Sequence, residues 1–244
     1  MSIRSSRARK APTAARSDVS TSWTASAGRP DAAIAARAAT QLGQRAAYGK
    51  RIAATLKSAG LARGASIASG PALGATAWGD LAPLHEALRH LGVRTFTIGA
   101  GPTVDVLGAA RLGAIDAADA VRAGFTPRLL EDGQLASEIA NADGPIGALI
   151  LGSDAVSRAG YAVVPAGGVG LAAAALFSGV PVYLVAGSAA TDLTGAEVTK
   201  RVEAVNNTAA QRGAPFAARG VTSGVQVATP RVELLALDGI TLID

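Results

Sequence analysis

GALILGSDAVSRAG, residues 147–160, is the stretch whose reading decides the fold of this chain. An apolar run, Ala148 to Gly152, is followed after Ser153 by a lone carboxylate, Asp154. A strand that is apolar at every position needs cover on both faces, which is the situation inside a parallel sheet. In such a sheet ligands gather outside the carboxyl ends of the strands. An acid just past the last apolar residue therefore stands where binding or chemistry is expected.

The same texture recurs on either side. ASIAS (65–69), RTFTIG (94–99), PRLLED (127–132), PVYLVAG (181–187), VQVATP (225–230) and ITLID (240–244) read as short strands. Between them lie helical segments. They are residues 76–91 closed by Gly92, GPTVDVLGAARLGA running into DAADAVRAG, GQLASEIAN, VGLAAAALFSG and the polar TGAEVTKRVEAVNN. Strand–helix alternation with short glycine-rich joints predicts an α/β fold, a parallel sheet with helices on both faces. Upstream, residues 30–60 open on Pro30 and Asp31 and close on Gly60, the punctuation of one or two helices. Residues 1–28 are rich in Ser, Arg, Ala and Thr without periodicity, and disorder is expected there. The expected division is a disordered basic tail over 1–28, a helical segment over 29–60 and the α/β domain over 61–244.

A chain of 244 residues can bury one good-sized core. Its residues are 49% hydrophobic but only 4% aromatic, a supply suited to helices packed on a parallel sheet. There is no cysteine, which excludes disulfides, thiolate catalysis and cysteine-ligated metals. With His85 and His90 the only histidines, no metal site and no cofactor are expected. The formal charge of +5 is unevenly spread. Residues 1–57 carry eleven Lys and Arg against two Asp, while the remainder carries twelve against sixteen acids. Such an arm could touch nucleic acid or an acidic partner; the plainer reading is a solvated terminus. The first residues lack the apolar core of a secretory signal, although an organelle transit peptide fits their composition. No run approaches the ~18 apolar residues of a membrane span. A cytoplasmic protein without membrane association is expected.

The candidate site follows from the strand ends. Ser69 and Gly70 follow the first strand, Gly99 and Gly101 the second, Asp132 the third, and Gly152 and Asp154 the fourth. Asp154 reads either as a general base or hydroxyl-binding group, or as a turn or helix-cap residue. Half-buried among apolar neighbours, it would hold its proton more readily. Asp132 in EDGQ reads first as a cap for the helix after it. Gly167 and Gly168 in GGVG open a helix whose N–H groups suit a phosphate, or simply let that helix pack close to a strand. GAGPTVDVLG lacks the dinucleotide spacing, and no P-loop, HExxH or GxSxG occurs. His85 and His90, five apart on one helix, do not share a face and read as ordinary helix residues.

GSDAVSRAG, VVPAGG, LAAAALFSG and VPVYLVAGS, in that order, resemble the alpha, beta and delta subunits of eukaryotic translation initiation factor 2B. They are similar, too, to the related methylthioribose-1-phosphate and ribose-1,5-bisphosphate isomerases. SIASGPALGATAW, RAGFTPRLLEDGQLASEI and GVQVATPRVELLALDGI extend the resemblance over about residues 60–244. It implies a Rossmann-like domain, a homodimer, and a sugar-phosphate site that also takes in the turn at Gly160. The departures matter as much. The position of the isomerases' cysteine falls on Gly70, the sugar-phosphate Asn–Lys pair on Val164 and Pro165, and the turn asparagine on Ala159. The arginine of the second strand's turn falls on Gly101. Asp154 alone remains of the polar set. The resemblance thus implies a subunit-like protein with a degenerate sugar-phosphate site, acting by ligand binding or assembly, with a sugar phosphate or nucleotide as ligand. The competing reading is an aldose–ketose isomerase with Asp154 as base.

Overall fold

A computed structural model of the chain describes residues 43, 47–58, 60–61, 64–71, 81–93, 95–101, 112–141, 144–186, 193–210 and 232–243. In chain order the elements begin with α1 (47–58), β1 (Ser66–Ser69), α2 (Ala82–His90), β2 (Thr95–Gly99), α3 (Leu112–Arg122), β3 (Thr126–Leu130) and α4 (Asp132–Ala140). They continue with β4 (Ile146–Ser153), β5 (Ala155–Ser157), β6 (Tyr161–Pro165), α5 (Gly168–Phe177), β7 (Val182–Ala186), α6 (Gly195–Ala210), β8 (Val232–Ala236) and β9 (Ile240–Ile243). The expectations for residues 1–28 and for a strand at 225–230 lie outside the described residues.

Six strands form one sheet in the order β3-β2-β1-β4-β7-β9, and every neighbouring pair is parallel. The expected α/β architecture, a parallel sheet between helices, is the one found. Because strand side chains alternate, β4 splits its apolar run between two clusters. Ala148 and Ile150 join Ile67, Phe96, Ile98 and Tyr183 under α1 and α2. Leu149 and Leu151 join Ala68 and Leu184 under α4 and α5. Full burial of each large aliphatic side chain contributes about 1.5–3 kcal/mol, so the run in β4 anchors both layers.

Helix α1 shares this core. Tyr48, Ile52 and Leu56, four residues apart, form one stripe and are buried in the first cluster. The Tyr48 hydroxyl donates to the carbonyls of Ile243 (3.2 Å) and Ala186 (3.4 Å), tying the helix to β9 and to the end of β7. In α2, His85 is buried against Phe96 and Phe125, with ring centroids 6.1 and 5.4 Å away. His90 is exposed, 3.7 Å from Glu86. The two histidines do fall on different faces.

Two features differ from the sequence reading. The edge strand β3 is largely exposed rather than covered on both faces. Pro127 removes one edge donor, and Arg128 pairs with Glu138 of α4 at 2.7 and 3.1 Å, devices that blunt an open edge. Second, GSDAVSRAGYAVVPAGG, where the sequence reading assigns no strand, contains β5 and β6. With β8 they form an antiparallel sheet in the order β5-β6-β8. Three-residue β5 is too short to show a period, and Pro165 argues against a strand on rule. Pro165 sits opposite Val232. The Val232 N–H donates to Asn206 Oδ1 (3.2 Å), and the Val232 carbonyl accepts from Asn206 Nδ2 (3.0 Å), so α6 closes the end of this ladder.

Candidate functional site

Counted along the chain, the parallel sheet has the order 3-2-1-4-5-6. The connections run one way from β1 through β2 to β3, and the other way from β4 through β7 to β9. The reversal falls between β1 and β4, and crevices in open α/β sheets form at the carboxyl ends beside such a reversal. The joints there are Ser69–Gly70–Pro71 after β1, Gly99–Gly101 after β2, Asp132 after β3 and Ser153–Asp154 after β4.

The carboxylate that meets the glycine joints is that of Asp132. The Gly101 N–H donates to Asp132 Oδ1 at 3.1 Å. A Cβ on Gly99 would lie 2.7 Å from the same oxygen and 3.4 Å from Pro71 Cδ. A Cβ on Gly167 would lie 2.7 Å from Asp132 Oδ2. The acid thus fills the space between the joint after β2 and the turn before α5, with the joint after β1 alongside. The expected cap role for Asp132 is corrected. Glu131 holds the N-cap position of α4 without a side-chain cap bond, and Asp132 is the first helical residue. Its charge still suits the helix start, while Oδ1 serves a neighbouring loop.

Gly167 and Gly168 do open a helix, but their surroundings change what they offer. Gly167 is the N-cap of α5 at φ 94°, a left-handed conformation in which other L-residues are strained. The N–H groups of Gly167 and Val169 both donate to Glu233 Oε2, at 3.2 and 3.1 Å. Expected as donors for a phosphate, they already have an anionic acceptor from β8. Gly168 is buried, and a Cβ there would lie 3.0 Å from Val164 Cγ2, so this glycine lets α5 rest on β6. Glu233 is the residue that sequence reasoning missed. Its one signal is parity: it sits two before Leu235, which is buried, so an acid shares the inward side of β8.

Asp154 is exposed, which corrects the expectation of half-burial. Its N–H donates to the Val163 carbonyl at 2.9 Å, joining the end of β4 to β6. Ser153 reinforces the joint, its Oγ donating within 2.7 Å of Ala155 O and 3.2 Å of Val163 O. Gly152 is buried inside β4 opposite Val185. Gly160 lies in the exposed β5–β6 turn, where its carbonyl accepts from the Leu237 N–H at 2.9 Å.

Ser69 is fully buried, level with Ile98 and Ile150, and its Oγ has no hydrogen-bond partner. Next to it the Gly70 N–H donates to Ile150 O at 3.0 Å, and a Cβ on Gly70 would lie 2.5 Å from Leu151 Cδ2. Tyr183, one strand beyond Ile150, is also buried with an unpartnered hydroxyl, and burial pushes its phenol pKa up. Among the described residues no cluster of three or more His, Asp or Glu side chains could hold a metal ion. No helix among them is long and apolar enough to cross a membrane.

No protein-family model matches the sequence. No curated protein matches it either. Solved structures do match. The chain is similar to the eIF-2B translation initiation factor of Pyrococcus horikoshii OT3, with 13% identity and a TM-score of 0.55, covering 84% of this chain and 64% of that one. It is similar to the delta subunit of eIF-2B from A. fulgidus, with 16% identity and a TM-score of 0.58 over 86% of this chain and 61% of the other. It is likewise similar to 5-methylthioribose 1-phosphate isomerase from P. horikoshii OT3, with 17% identity and a TM-score of 0.56 over 80% and 52%. This chain spans between half and two thirds of the length of these proteins. At such identities the likeness is one of architecture: the chain has the fold shared by initiation factor eIF-2B subunits and 5-methylthioribose 1-phosphate isomerase.

Proposed function

We propose that this protein works by ligand binding or assembly rather than catalysis, as a subunit-like member of this fold group whose sugar-phosphate site has degenerated. The observation that carries the reading is Gly70. The resemblance puts a cysteine at this position in the isomerases, whereas here the backbone is buried and a Cβ would press on Leu151 Cδ2. Leu151 is itself 2% exposed, so it yields only by disturbing a packed core. Val164 is fully buried in the second cluster, and Pro165 pairs with β8; neither offers the amide or ammonium of the implied Asn–Lys pair. Aldose–ketose isomerisation moves a proton or hydride between adjacent carbons and needs at least two positioned groups. Asp154 supplies one. A homodimer, implied by the resemblance, is the assembly proposed.

The test is direct. Incubated with methylthioribose-1-phosphate or ribose-1,5-bisphosphate, the protein is expected to yield no ketose. Turnover that disappears in Asp154→Asn would establish the isomerase reading instead. Light scattering on the purified chain is expected to give twice the 24.1 kDa chain mass, and a monomer at micromolar concentration would remove the assembly half of the proposal.

A further inference from the structure

We infer that Glu233 is a specificity-determining residue: its carboxylate is a built-in anion that keeps phosphorylated ligands off the start of α5. This rests on the reading of the rim as a degenerate sugar-phosphate site and says which ligands the degenerate rim refuses.

A ten-residue helix leaves its first N–H groups without intrahelical partners, and its N-terminus favours negative charge. A side chain at the N-cap usually meets the need, but position 167 cannot supply one. Its φ of 94° favours glycine, and a Cβ there would also press on the Asp132 carboxylate. The acceptor therefore comes from elsewhere in the chain, and Glu233 Oε2 takes both the Gly167 and the Val169 N–H. Glu233 is held there by its own strand. β8 pairs with β6 over Tyr161–Pro165, and the neighbouring Leu235 is buried. The strand fixes where the side chain starts, and the two N–H bonds hold its carboxylate at the helix end.

An incoming phosphate monoester, at roughly −1.5 to −2 charge, would face this carboxylate, with that of Asp132 also close to Gly167. The donors it needs would be engaged, and like charge would meet like charge at the helix start. Neutral ligands face no such penalty. Glu233 thus separates ligand classes by charge, whatever assembly the chain enters.

The experiment is calorimetric titration of inorganic phosphate into the full chain, at constant ionic strength, for wild type, Glu233→Gln and Glu233→Ala. Backbone amide resonances of Gly167 and Val169 are followed in parallel. Expected are weak or undetectable binding to wild type and at least roughly tenfold tighter binding to the variants, with those two amides shifting. The glutamine variant keeps shape and loses charge, so it covers the case in which the alanine variant fails to fold. Phosphate binding by wild type as tight as by the variants overturns the inference. So does a folded variant that gains nothing, and so does loss of folding in both variants, which would make Glu233 a structural tie only. Sugar-phosphate turnover by the wild type would strike the non-catalytic reading separately, since the variant titrations do not depend on turnover.

Discussion

Tyr183 shows how one atom can be out of step with its surroundings. The ring fills the core beside Ile150, yet its hydroxyl is buried without a partner. A buried unsatisfied polar group costs about 1–3 kcal/mol. Tyr183→Phe, which keeps the ring, is expected to leave stability unchanged or to raise it by about 1 kcal/mol, read by denaturant titration. Since burial raises the phenol pKa, the folded state holds the proton more tightly than the unfolded state. The contribution is complete below the unfolded value of about 10 and is lost as pH rises towards the folded value. Wild-type stability should therefore fall above about pH 10 more steeply than that of the phenylalanine variant; parallel curves would count against this. Acids at the rim teach a related lesson. The apolar run before it located Asp154 at a strand end, because period and burial are local properties. That Asp132 would reach Gly101 and Gly167, and that Glu233 would reach across 66 residues to Gly167, depends on how separate elements dock, and no local pattern records it.

Docking between elements also constrains Gly113. This residue lies near the start of α3, its N–H donating to Ala100 O at 3.2 Å, and a Cβ there would collide with the carbonyl of Gly99. Helix propensity alone favours alanine by about 1 kcal/mol. The obstacle is backbone and cannot swing away, so Gly113→Ala is expected to destabilise by about 1–3 kcal/mol. A Tm equal to or above wild type would show that α3 can lift from the end of β2. The same comparison explains which elements were legible. β1, β2, β4, β7 and the helices between them announce themselves through apolar runs and glycine stops. β5 and β6 do not, because three residues cannot show a period and a terminal proline masks a strand whose ladder is completed by Asn206. β8 hides because VELLA stands against a face that only the folded chain provides.

For the molecule as a whole, a strand order that reverses between β1 and β4 gives a rim at the carboxyl edge, and the architecture is that of proteins with unlike tasks. In this chain the rim is filled by its own residues. A side chain at Gly70 would press on Leu151, Asp132 occupies the space between two joints, and Glu233 caps α5. The parallel sheet, the flanking helices and the candidate joints could be read from the sequence; the occupation of the joints by the chain's own acids could not. The measurement that bears most directly on this is a titration of the wild-type protein with ribose-1,5-bisphosphate, followed at the backbone amides of Gly101, Gly167 and Val169. All three should keep their positions up to millimolar ligand. Saturable shifts of these amides at micromolar ligand would show that the rim still receives a phosphorylated sugar and would contradict the account.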